Sequence, residues 1–136
     1  MKLCFFNIAN LSLNEVLRKI KDTIPSIGLT TAEANFKAEF IIEELVTNSF
    51  LHGLPQSTRI DLKIEIQLDP FVIIYYEIGN NRINLSPIIT SDHREMQDDE
   101  LLQGGGLGMK LIQQISAKVE LVEEREKLSK IYTILI

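Results

Sequence analysis

The sequence predicts an α+β fold: a two-layer sandwich in which a mixed sheet of about five strands carries three helices on one face. Three observations lead there. Residues 40–53 place apolar side chains on nearly every side, the mark of a helix buried in a core. Ile60, Leu62, Ile64, Ile66 and Leu68 alternate strictly with Asp61, Lys63, Glu65 and Gln67, which marks a strand with one wet face. The order strand, helix, helix, hairpin, loop, helix, hairpin then leaves the helices to cover the sheet. At 136 residues, with no internal repeat or linker, the chain reads as one domain over residues 1–136, long enough for a hydrophobic core.

Each element has its own signal. Lys2 to Ile8 is a short β-like run suited to a sheet edge, and Cys4 inside it reads as a small buried hydrophobe. A single cysteine excludes an internal disulfide. Ser12-Leu13-Asn14-Glu15 has the form of a capping box, with Leu13, Val16, Leu17 and Ile20 at helical spacing behind it. That helix should end by Pro25, and Ser26-Ile27-Gly28 is a turn. Thr30-Thr31-Ala32-Glu33 is a second capping box, opening the long helix that stops at Gly53, with Pro55 just beyond.

Asp69-Pro70 turns the chain after the alternating strand. Phe71 to Tyr76 is continuously apolar and aromatic, as expected of a central strand covered on both faces. From Asn84 to Gln103 no period survives, and a polar stretch of this length is usually a lid or disordered; His93 within it should be solvated. Gly104-Gly105-Gly106-Leu107-Gly108 precedes a helical pattern through Leu111, Ile112 and Ile115. Val119 to Val122 and Ile131 to Ile136 form two last strands around the charged run Glu123 to Lys127.

Composition narrows the function classes. With 14 basic and 19 acidic residues, the net charge of −5 argues against loose nucleic-acid binding, while leaving room for basic protein partners. No apolar segment reaches membrane-spanning length and the first residues lack a signal peptide's apolar region, so the expectation is a cytoplasmic protein without a membrane partner. No His/Cys/carboxylate set has the spacing of a protein-made metal site, and no nucleophile-and-base set suits acyl transfer.

Three stretches carry chemistry. Glu44, Asn48 and His52 recur every fourth residue along one stripe of the long helix. A buried carboxylate and amide need partners, so the stripe is either a satisfied core network or a site for a polar ligand. His52, near the helix end, is read as bonding the last carbonyls. Four glycines in five residues before a helix give free amides at a positive helix end; that suits phosphate, or is simply a turn. Glu77-Ile78-Gly79 joins an acid that can accept from an amine to a glycine that lets a flat ring approach, though such a pair is more often a plain turn.

In combination these motifs follow one another in the order of a single family. The chain resembles the GHKL ATPase superfamily (gyrase, chaperone, histidine kinase, mismatch repair). Glu43-Glu44-Leu45-Val46-Thr47-Asn48-Ser49-Phe50-Leu51-His52-Gly53 and Gly105-Gly106-Leu107-Gly108-Met109-Lys110-Leu111-Ile112 look most like its anti-sigma-factor serine kinase branch. The resemblance spans essentially the whole chain and implies the Bergerat-type ATP-binding fold, with a lid near residues 84–103 that orders over nucleotide.

What the resemblance implies can be placed residue by residue. Asn48 matches the asparagine that ligates Mg²⁺, an ion content with few protein ligands. Glu44 matches the general base. Gly104, Gly105, Gly106, Leu107 and Gly108 match the box that closes on the phosphates of ATP. Glu77 matches the adenine-binding position, which is normally aspartate; glutamate keeps the charge and is one methylene longer. Gly79 matches the glycine beside it.

The activity so implied is ATP- and Mg²⁺-dependent serine/threonine phosphorylation of a small antagonist protein. A sigma factor and that anti-anti-sigma antagonist would be the partners, and a homodimer is admitted. Two other readings stay open: a non-catalytic nucleotide-sensing module, and the catalytic domain of a two-component histidine kinase.

Overall fold

The computed structural model describes residues 1–29, 31–52, 59–80, 91–95, 107–124 and 129–136; at 80, 91–95 and 124 the description covers the backbone only. Strands β1 (Lys2–Phe5), β2 (Arg59–Gln67), β3 (Val72–Asn80), β4 (Ser91–Glu95), β5 (Lys118–Glu124) and β6 (Ser129–Leu135) form one sheet in the order β1-β2-β3-β6-β5-β4. Every neighbouring pair is antiparallel. The expected mixed sheet of about five strands is thus an antiparallel sheet of six. The physical reason lies partly in the connections. Two helices in succession between β1 and β2 return the chain in the opposite sense, whereas a parallel pair needs a crossover.

Helices α1 (Leu13–Thr23), α2 (Ala32–His52) and α3 (Leu107–Ile115) supply the rest of the core. Val16 and Ile20 of α1, Ile41, Ile42, Leu45 and Val46 of α2, and Met109 and Ile112 of α3 are buried with Leu62, Ile64, Ile73, Tyr75, Val119, Leu121 and Ile134 of the sheet. The fold is α+β, and its layering is compatible with a two-layer sandwich. Among the described residues no helix is long and apolar enough to cross a membrane.

Four local expectations need correction. The run Phe71 to Tyr76 predicts a strand covered on both faces, but among the described side chains of β3 only Ile73, Tyr75, Glu77 and Gly79 are buried. Val72, Ile74 and Tyr76 are half-buried and Ile78 is exposed. An apolar run does not by itself distinguish one covered face from two. Cys4 is exposed, because β1 turns Leu3 and Phe5 inward and the residue between them must face out.

The second helix start falls one residue later than the capping box suggests. The Ala34 amide donates to Thr31 Oγ1 at 3.0 Å, so Thr31 is the cap; Thr30 lies outside the described residues. Lastly, part of the stretch read as a structureless lid is strand. Ser91–Glu95 lies along β5, with His93 opposite Val122. Pairing uses backbone groups common to all residues, so it can form without any hydrophobic alternation. The remainder of 84–103, apart from β4, lies outside the described residues, as does the His93 side chain.

Candidate functional site

A cavity of about 170 Å³ opens between the last two turns of α2 and the sheet. Leu45, Asn48, Ser49 and His52 line it from α2, Glu77 from β3, and Lys130 and Tyr132 from β6. Its volume, as bounded by the described residues, is below the roughly 300–1,000 Å³ of pockets that enclose a drug-sized ligand.

Its position follows from the strand period. Ile73, Tyr75, Glu77 and Gly79 all face the helices. The first two are covered by α2, and the face turns polar at Glu77 as the helix runs out. Glu77-Ile78-Gly79 is therefore continuous strand rather than a turn. Glu77 pairs with Leu62 on one side and Lys130 on the other, and Gly79 pairs with Ile60.

Beneath the cavity sits a fixed polar contact. Tyr75, fully buried, donates to the Leu45 carbonyl at 3.3 Å and shares a 2.7 Å hydrogen bond with Ser49 Oγ. Burial pushes its phenol well above the ordinary value, so it stays protonated and remains a donor. This contact anchors α2 to β3 one turn below Asn48 and His52.

Two further polar residues line the cavity, Asn48 and Glu77. Asn48 Nδ2 is buried with no hydrogen-bond partner. A buried amide end without a partner costs roughly 1–3 kcal/mol, which a ligand can recover. Glu77 is only 5 % exposed, and among the described residues its carboxylate makes no ion pair. A half-turn of the Asn48 amide would present oxygen instead of nitrogen, so the group can meet either a donor, including a cation, or an acceptor. Among the described residues no cluster of three or more His, Cys, Asp or Glu could hold a metal by itself. The donor set nonetheless fits an ion that takes most of its ligands from water and phosphate.

The structure brings Asn48 and Glu77 to one cavity but places Glu44 outside its lining. The Glu44 carboxylate packs directly on Gly108, in the first turn of α3; a methyl group there would lie 2.5 Å from Glu44 Cδ. A carboxylate at a helix N-terminus is favoured by the helix dipole. Leu107 is 74 % exposed and does not line the cavity. Gly104, Gly105 and Gly106 lie outside the described residues. His52 lines the cavity, and among the described residues its ring makes no hydrogen bond to the last carbonyls of α2.

Sequence reasoning missed Ser49, Lys130 and Tyr132. Lys130 and Tyr132 alternate with Ile131, a signal that they share a face of β6. Nothing local says that this face meets Glu77.

Glu43, beside Glu44, adds a pH-sensitive feature to α2. Burial raises its carboxyl above the ordinary value of 4.5, Lys21 at 3.9 Å partly offsets this, and Glu39 and Glu44 add to it. A carboxyl whose folded pKa is raised favours the folded state when protonated, so its contribution falls as pH rises from 4.5 through the folded pKa. Glu43→Gln is therefore expected to raise the urea midpoint at pH 7, with the gain shrinking as pH falls through the folded pKa and lost below pH 4.5. A gain that persists unchanged at acid pH would contradict this.

No protein-family model matches the chain, and no curated protein matches it significantly.

Proposed function

We propose that this chain is a Mg²⁺–ATP-binding regulatory kinase of the Bergerat type, an anti-sigma factor that phosphorylates a serine or threonine of a small antagonist protein. The observation that carries this reading is that Asn48, whose Nδ2 is buried without a hydrogen-bond partner, lines the same cavity as the buried acid Glu77. A buried amide end without a partner and a buried acid, on residues that line one cavity, suit a polar ligand. The motif order along the chain supplies its identity.

Bound Mg²⁺ would supply neutralisation of the phosphate charge. Asn48 would hold it through the amide oxygen. Glu77 would accept a hydrogen bond from the adenine amine, and Ser49, locked to Tyr75, would keep the last turns of α2 at a set distance from β3. Glu44 would take the proton of the incoming hydroxyl. Gly108, by having no side chain, leaves room for that carboxylate beside α3. The partners on this reading are a sigma factor and its antagonist.

Calorimetric titration with a non-hydrolysable ATP analogue tests the reading. Wild type should bind in a Mg²⁺-dependent manner, and Asn48→Ala should weaken binding at least about tenfold. The same substitution should not lower folding stability, since it deletes a group that the fold leaves unsatisfied. No binding at millimolar nucleotide would overturn the proposal.

The position of Glu44 outside the cavity lining favours a second reading, in which nucleotide binds without turnover and the protein acts as a sensing module. Phosphoserine on a cognate partner would refute it.

A further inference from the structure

We infer that Lys130 is a second base-reading residue, donating to the ring nitrogen next to the amine that Glu77 accepts from. The inference rests on the nucleotide reading above and deepens it. Glu77 and Lys130 are directly opposed on β3 and β6, and both line the cavity. Opposed residues in an antiparallel pair hold their Cβ atoms about 4.5–5.5 Å apart, so the two side chains leave neighbouring points of the sheet and both reach the cavity.

The pair makes no ion bridge among the described residues, so neither charge consumes the other. The two heads are chemically complementary: a carboxylate only accepts hydrogen bonds and an ammonium only donates them. Adenine presents that pattern in reverse along one edge, with its 6-amine donating and N1 accepting. Glu77 alone can satisfy the amine but never N1, and an acceptor buried without a partner carries a penalty. Lys130 supplies the missing donor, as a charged group whose hydrogen bonds are about twice as strong as neutral ones. Three other polar residues lining the cavity are worse placed for this. Ser49 already bonds Tyr75, and Asn48 and His52 lie across the cavity on α2.

The test compares ATP with 1-deaza-ATP, which keeps the 6-amine and lacks the N1 acceptor, on wild type and on Lys130→Met. Both non-hydrolysing titrations are done in calorimetry at saturating Mg²⁺. Wild type should prefer ATP by about ten- to a hundredfold. Lys130→Met should lose that preference by weakening ATP alone, leaving 1-deaza-ATP unchanged.

Equal affinity of wild type for the two nucleotides overturns the assignment while nucleotide binding itself stands. Equal weakening of both nucleotides in Lys130→Met makes Lys130 merely structural, and overturns it too. Tighter binding of GTP than ATP assigns the pair to a different purine edge and overturns the adenine contact. Failure of wild type to bind any nucleotide sinks the underlying reading and this inference with it.

Discussion

On the proposed kinase reading, Gly108→Ala is expected to leave the chain folded while lowering phosphoryl transfer by about 10²- to 10⁴-fold, the range by which a positioned general base contributes. The new methyl group would occupy the space of the Glu44 carboxylate. That carboxylate is the far end of a flexible side chain, so it swings away rather than forcing the backbone apart. Alanine also favours a helix over glycine by up to about 1 kcal/mol, which offsets residual crowding. Stability should therefore change little while the acid loses its place.

The cycle with Glu44→Ala makes the claim specific. If Gly108 acts only by keeping room for Glu44, the double variant should transfer no more slowly than Glu44→Ala alone. A readout independent of turnover is the Glu44 side-chain carboxyl followed by carbon NMR, which should shift in Gly108→Ala. Wild-type transfer in a folded Gly108→Ala protein would remove Glu44 from the reaction.

Tyr75→Phe is expected to destabilise the fold by about 1–3 kcal/mol, read as a lower urea midpoint at constant slope. The ring stays, so packing is nearly unchanged. What is lost is the hydroxyl that bonds Ser49 Oγ and the Leu45 carbonyl inside the core. Ser49 is only 4 % exposed and would be left with a buried, unpaired oxygen. Adding Ser49→Ala should recover part of the loss, because removing both partners costs less than orphaning one. Unchanged stability in Tyr75→Phe would mean that this contact does not tie α2 to β3.

Much of the architecture can be read locally. The alternation from Ile60 to Leu68 is the period of a half-buried strand, and its buried members in the structure are Leu62, Ile64 and Ile66. The apolar spacing of Val16 and Ile20, and of Ile112 after the glycine run, is likewise the inward face of α1 and α3. Asn48 stands out because an amide in so apolar a helix needs a reason, and the structure gives it a place beside a cavity. These readings hold because hydrophobic period depends only on neighbours within a few residues.

The misses share the opposite cause. Whether β3 is covered on one face or two, whether Ser91–Glu95 pairs, and whether Cys4 faces in or out depend on which strands and helices lie alongside. So does the sense of every strand pair.

By itself the sequence determined every element but β4, their order and the identity of the polar residues that break an apolar pattern: Glu44, Asn48 and Glu77. The tertiary structure alone decided how they group. The register of β3 on β6 set Lys130 opposite Glu77 and so brought two charges, distant along the chain, to one cavity. The packing of α3 on α2 set the Glu44 carboxylate against Gly108. Both outcomes are products of long-range packing, which positions side chains by what lies across from them rather than by what precedes them in the chain.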